Sequence, residues 1–291
     1  GLLATHISRA LAEAGVSHVN LHCMTLRGFA DRLAKPSLAR RGLRKEPEFV
    51  ARLLIGRLAE AHADDLTYFR SVSRGEGFHD CCLETIRDLK EAGLAPDDLR
   101  PLLSKGAGRH GGVPNEKLRE LLLFWEKLET FREEHRLIDG ETDLLGAAAE
   151  AAGDSPWLTS LGRLIIYGIY DPNGLQRQLI AECARTVSLD VYFPFQERTA
   201  YDYARPGLEW FETLGPNREQ LNEPASDDGP LHRVQVRLFD SDAPDDASTE
   251  PDGAELLLVS APGEAREAEE VVREILYPVA PASPPERAGV L

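Results

Sequence analysis

The chain has 291 residues, 42% apolar and 28% charged, with a formal net charge of −16. That length suffices for two domains with cores of their own, and no apolar run reaches the roughly 18–20 residues that a membrane span needs. The acidic balance argues against a free-standing nucleic-acid-binding protein, because phosphate contact rewards a basic face; a groove inside a larger assembly is compatible with it. Residues 1–6 lack the basic stretch and small-residue cleavage site of a signal peptide, and Met24 is the single methionine. Residues 287–291 read like the start of a strand, so both ends are expected to be cut from a longer polypeptide. Cys23, Cys81, Cys82 and Cys183 match neither a zinc ribbon nor an iron–sulfur run. They are expected to be reduced, mostly buried thiols of a cytoplasmic protein.

In chain order, Leu3, Ile7, Leu11 and Ala14 share one helical face closed by Gly15. Residues 18–22 read as a short strand, after which Thr25 can cap a helix carrying Leu26, Phe29, Ala30 and Leu33. Between residues 36 and 157 helical patterns take over. One amphipathic helix holds Phe49, Leu53, Leu54 and Leu58. A second holds Leu83, Ile86, Leu89 and Lys90 and stops at Gly93; after a loop at 106–114, a third holds Leu118, Leu121, Leu122, Trp125 and Leu128. An all-helical insertion of roughly a hundred residues has the size of a small domain. A strand returns at 164–167, then a helix from Asn173 or Gly174 and a second strand at 188–193, a βαβ unit whose strands should be parallel. Further strands are expected at 234–239 and 255–260, around a solvated Asp-, Ser- and Pro-rich loop at 240–253. A last helix over 264–276 places Ala268, Val271, Val272 and Ile275 on one face.

An α/β layer interrupted by a helical insertion and then resumed is how superfamily 1 helicases are built, and four stretches carry a closer likeness. Thr25-Leu26-Arg27-Gly28-Phe29-Ala30-Asp31-Arg32-Leu33 resembles the T-F-H-S-F-x-x-x-L stretch of UvrD-like helicases, which lies beside single-stranded DNA. Ile86-Arg87-Asp88-Leu89-Lys90-Glu91-Ala92-Gly93-Leu94 is similar to the I-x-E-L-K-x-A-G-L phrase of AddB-like subunits. Ile138-Asp139-Gly140-Glu141-Thr142-Asp143-Leu144-Leu145 resembles the V-D-F-x-D-L-L phrase that precedes the Walker B strand, and residues 165–176 stand in the Walker B place itself. There Tyr167-Gly168 replaces the Asp-Glu pair of active members, while Asp171 and Gln176 match the acid and glutamine that follow it. Tyrosine and glycine cannot hold magnesium or polarise an attacking water. The G-x-x-x-x-G-K-[ST] phosphate loop does not occur in the sequence, and Phe193-Pro194-Phe195-Gln196 replaces the usual G-D-x-x-Q-S-I-Y.

The chain thus resembles the AddB/RexB-type subunit of bacterial helicase-nucleases, a UvrD-like fold with degraded motor motifs that also carries a PD-(D/E)XK nuclease. No such nuclease pattern fits here, since residues 84–90 sit on a helix. The resemblance implies an α/β fold: a P-loop helicase-like (RecA-like) parallel sheet core interrupted by an all-helical insertion domain. Its parts would be the remainder of a first α/β domain at 1–35, the insertion at 36–157, the resumed core with the degenerate Walker B region at 158–221, and the start of a second α/β domain at 222–291. The implied function is double-strand-break processing, with this stretch a non-catalytic platform that guides single-stranded DNA and packs on an AddA-like motor partner. The implied partners include single-stranded and duplex DNA ends, with no membrane. No cofactor is expected in this stretch; magnesium, ATP and an iron–sulfur cluster are candidates for the full-length protein. The alternatives are an ATP-binding or ATP-hydrolysing subunit with an upstream phosphate loop, and a purely structural protein-binding adaptor.

Each candidate residue has a plain reading beside the functional one. Thr25 and Arg27 suit a DNA phosphate at a strand-to-helix turn; the plain reading is a helix cap and a solvent-facing arginine. His22 reads as a packed or surface histidine. Asp139 and Asp143 are four apart, which suits a metal pair or the favourable charges of a helix N-terminus. Asp171 lies where α/β proteins bind ligands, but within Asp171-Pro172-Asn173-Gly174, a turn sequence. Tyr201, Tyr203, Trp210 and Phe211 could stack on bases or face a core.

Overall fold

A computed structural model describes residues 2–17, 20–104, 109–110, 113–197, 199–221 and 260–276. The chain forms two compact units, Gly1–Phe195 with Tyr203–Asn217, and Gln196–Asp202 with Arg218–Leu291.

The first unit is built largely from helices: α1 (Leu2–Glu13), α2 (Leu26–Arg41), α3 (Glu48–Ala61), α4 (Glu76–Glu91), α5 (Pro96–Ser104), α6 (Asn115–His135), α7 (Thr142–Ala152), α8 (Pro156–Ser160), α9 (Gly174–Thr186) and α10 (Arg205–Glu212). Its strands are β1 (Arg44–Lys45), β2 (Arg109–His110), β3 (Val113–Pro114), β4 (Leu137–Ile138), β5 (Leu164–Tyr167) and β6 (Leu189–Tyr192). The second unit contributes α11 (Glu264–Leu276), an amphipathic helix with Val271 and Val272 exposed.

Local chemistry sets the helix ends. Thr25 caps α2, its hydroxyl accepting the Gly28 N–H at 3.1 Å, and Gly42 closes the helix at φ +67° with its N–H donated to the Ala39 carbonyl. Asn173 and Gln176 form a reciprocal capping box at the start of α9: each side chain accepts the other's backbone N–H.

Three cores organise the unit. The first joins α2, α7 and α9; the alanines Ala147, Ala148, Ala149 and Ala152 of α7 let both neighbours approach, and Phe29, Leu33, Leu144 and Leu179 fill the seams. The second packs Ile55, Leu66, Ile86, Phe124, Trp125 and Leu128 between α3, α4, α5 and α6. The third places Ile166 of β5 and Ile180 of α9 against Phe211 of α10.

This corrects the expected fold class. The chain does not build a RecA-like parallel sheet core: the described residues are mostly helical, and parallel pairing is confined to two two-stranded sheets. One pairs Arg44 with Leu137 and Lys45 with Ile138; the other runs from Leu164–Leu189 to Tyr167–Tyr192 in parallel register. A parallel sheet core needs both faces covered, whereas on β5 Ile165 is 54% exposed and Tyr167 59%. Helix seams bury the apolar surface instead. The βαβ unit itself is present, with α9 as the crossover between β5 and β6.

Two local expectations also change. Residues 20–22 form no strand, and Asn20 has φ +65°, which breaks extended pairing; residues 18–19 lie outside the described residues. Helix α3 exists, but its core face is Ala51, Ile55 and Ala59, while Phe49 and Leu53 point outward at 64% and 61% exposure. The strands expected at 234–239 and 255–260, apart from Ser260, and the loop at 240–253 fall outside the described residues.

Candidate nucleic-acid interface

The four stretches that carry the sequence resemblance lie far apart in the chain and meet in the fold. Arg27, in the first turn of α2, donates to Glu141 at 3.2 Å, and Arg87 of α4 reaches the same carboxylate at 3.3 Å. Three residues on, Lys90 bridges Glu129 of α6, at 3.0 Å, and Asp143 of α7. The fourth stretch joins through a backbone contact. A Cβ on Gly174 would lie 2.5 Å from the Ala92 carbonyl oxygen, so only glycine lets α9 begin against the end of α4. A second such approach holds α10 to the loop after β5: a Cβ on Gly207 would fall 1.8 Å from the Tyr170 oxygen.

Beneath this junction lies a buried ionic network that sequence reading missed. Arg132 of α6 has a 4% exposed side chain and grips Glu46 through two parallel bonds of 3.0 and 2.5 Å. It also reaches Glu129 at 3.0 Å and Asp139 at 3.7 Å. A bidentate guanidinium–carboxylate pair is the arrangement that offsets the cost of burying both charges. Burial opposes the Arg132 charge, but the Glu46 hydrogen bonds and the Glu129 charge outweigh it, and its pKa is raised further above the ordinary arginine range. The signal was present in the sequence: Leu121, Trp125, Leu128 and Arg132 follow one another at helical spacing, and a charge on an apolar stripe implies a buried partner.

The Asp139–Asp143 pair is occupied by its own helix. Asp139 accepts the Glu141 N–H at 2.7 Å, and Asp143 accepts the Asp139 N–H at 2.8 Å, binding the first turn of α7. Burial pushes the Asp139 carboxyl up, but the Glu141 N–H, Arg132 and Lys90 together hold it below the ordinary range. A further buried carboxylate serves the helical core: Glu120 accepts the backbone N–H groups of Thr67, Tyr68 and Phe69 at 2.6–2.8 Å and the Thr67 hydroxyl at 2.9 Å. Desolvation opposes its charge, yet these four donors win and its pKa is lowered.

The other candidates fall as follows. Thr25 is the α2 cap, and Arg27 is solvent-facing with Glu141 as its partner. His22 is exposed and bonded to Asn20 at 2.8 Å. Tyr167 ends β5 on its uncovered face, directly across from Tyr192, and Gly168 follows at φ +78°. Asp171 is exposed, 3.6 Å from Arg177, in the turn before α9, while Gln176 is committed to the capping box. Phe211 faces the third core with Trp210 beside it, and Tyr203 is exposed with its ring edge toward Tyr170. Tyr201 belongs to the other compact unit.

A family model described as "ADDB, N-terminal" matches residues 31–213, more than half of the chain. The chain belongs to this family. As an AddB-type subunit it is consistent with DNA repair and recombination. None of the curated proteins matches the sequence. The AddB N-terminal match includes Arg87, Lys90, Arg132, Glu141, Tyr167, Gly168, Asp171 and Gln176; Thr25 and Arg27 stand just ahead of it. Among the described residues of this AddB-type chain, no helix is long and apolar enough to cross a membrane.

Proposed function

We propose that this AddB-type chain is a non-catalytic part of a helicase-nuclease that processes DNA double-strand breaks, where it guides single-stranded DNA and packs against an AddA-like motor partner. The observation that carries the non-catalytic reading is the end of β5. Tyr167 and Gly168 stand there in place of paired acids, Asp171 is exposed and paired with Arg177, and Gln176 is spent on the α9 cap. This donor set does not fit a magnesium–nucleotide site, which needs carboxylates at the strand end to hold the ion and orient the water. Guidance of DNA is supported by Arg27 and Arg87, two solvent-exposed guanidinium groups that converge on Glu141 at the N-terminus of α7.

The test uses the full-length subunit assembled with its motor partner, with single-strand binding followed by fluorescence anisotropy and ATP hydrolysis assayed in parallel. Thr25→Ala and Arg27→Ala are expected to weaken single-strand binding, and Asp171→Asn to leave hydrolysis unchanged. Unchanged binding at low salt would remove Thr25 and Arg27 from the interface. Loss of hydrolysis in the Asp171 variant would overturn the non-catalytic reading.

A further inference from the structure

Residues 27–45 carry seven basic side chains against one acid, Asp31, a formal +6 in a chain whose total is −16, so the remainder carries −22. The stretch is α2 and β1. Four of the seven cations are committed. Arg27 pairs with Glu141, Lys45 with Asp31 and Arg41 with Glu150, and Arg32 lies over the Trp157 ring at 4.4 Å. Lys35, Arg40 and Arg44 are exposed, with no carboxylate within 4 Å among the described residues. Arg136 joins them: the Arg44 N–H donates to its carbonyl at 3.0 Å, and its guanidinium lies against Gly42. The helix dipole accounts for basic residues in the last turn of α2, namely Arg40 and Arg41. It accounts for neither Lys35 in mid-helix nor Arg44 and Arg136 beyond the cap.

We infer that Lys35, Arg40 and Arg44, flanked by Arg136, form a phosphate track that holds a nucleic-acid backbone without reading its sequence. The occupant follows from what this surface lacks as well as from its charge. A protein partner is held by buried apolar anchors; the outward positions nearest Lys35 and Arg40 are the small Pro36 and Ala39, and exposed Met24 lies at the opposite end of α2, against Gly28. Lys35 and Arg40 are five residues apart, about 7.5 Å along the helix axis and about 140° around it, so they stand toward opposite edges of the outward face of α2, and a nucleic-acid backbone touching both would cross the helix obliquely. The inference rests on the reading that the chain contacts DNA, and it adds residues beyond Thr25 and Arg27.

The experiment measures binding of the full-length protein to a labelled oligothymidylate and to a labelled duplex across a salt series. It compares the parent with Lys35→Ala, Arg40→Ala, Arg44→Ala and the triple variant. Each cation removed should lower the slope of log affinity against log salt by about 0.7–0.9, and the triple variant by about two to three. Weaker binding to the oligothymidylate assigns the track to single strands, weaker binding to the duplex assigns it to the duplex stem, and either supports it. The three side chains make no ion pair among the described residues, so the single variants should keep the parent's melting curve and remain interpretable if the triple variant does not fold. A parent that binds with a steep slope, matched by every variant, overturns the track and leaves the DNA-guiding reading standing. A parent that binds neither probe at low salt overturns both. Variants that lose a salt-dependent protein partner but keep the parent's DNA slope overturn the track in favour of an acidic protein.

Discussion

Replacing Arg132 by methionine tests whether the buried ionic network holds the junction together. The guanidinium makes two bonds to Glu46 and one to Glu129 and is almost wholly sealed from water. Methionine keeps an unbranched apolar stem as far as the Nε position but supplies no donor, so Glu46 is left charged and buried; Glu129 and Asp143 keep Lys90. Breaking a buried pair from one side costs about 3–5 kcal/mol, because an uncompensated charge remains, whereas replacing both partners with apolar groups of similar volume is close to neutral. Arg132→Met is therefore expected to lower unfolding free energy by about 3–5 kcal/mol, and the added substitution Glu46→Leu to recover most of that deficit. Urea unfolding at neutral pH, read as a midpoint shift at constant m, measures both. Two outcomes would refute the reasoning: a single variant within about 1 kcal/mol of the parent, or a double variant no more stable than the single.

Four further predictions follow from other contacts. Glu120→Gln should cost about 1.5–3 kcal/mol at neutral pH, the usual worth of hydrogen bonds to a charged group. Because the folded Glu120 pKa lies below its unfolded value, its contribution is present above the unfolded value, about 4.3, and disappears as pH falls through the folded one; the variant's urea midpoint should fall less between pH 7 and pH 3 than the parent's. Thr25→Ala should cost about 1 kcal/mol through removal of the helix cap, whereas the exposed Arg27–Glu141 pair contributes less than about 1 kcal/mol; thermal melts of the two single variants separate them. Gly207→Ala, by forcing α10 off the Tyr170 loop, should lower the melting temperature far more than the same change at Gly162, where an added methyl meets nothing within 4 Å. Cys23 and Cys81 are exposed, while burial pushes the Cys82 and Cys183 thiols up to about 12; a thiol reagent at pH 8 should label two cysteines in the folded chain and four after denaturation, counted by mass.

Features written in neighbouring residues were legible without a structure. The Thr25 cap, the helix from Asn173–Gly174 and the parallel strand–helix–strand unit follow from capping chemistry and from repeats of 3.6 and 2, because each depends on residues within a turn or two. Phe49 and Leu53 show where that reasoning stops: periodicity marks an apolar face, but which side meets the core depends on where α4 and α6 lie. The fold class was misjudged for the same reason. Residues 164–167 read as a strand, yet how many strands pair with it is a long-range matter, and within the described residues it pairs with β6.

The sequence by itself determined the helices that begin at Thr25 and Asn173, with their caps, and the absence of paired acids at Tyr167-Gly168, since each is fixed by the chemistry of adjacent side chains. Only the tertiary structure decided that Arg27, Arg87, Lys90, Glu141 and Gly174 belong to one junction and that Arg132 closes on Glu46, 86 positions away. Desolvation makes those charges costly unless they meet, and packing of the helices decides which partners they meet.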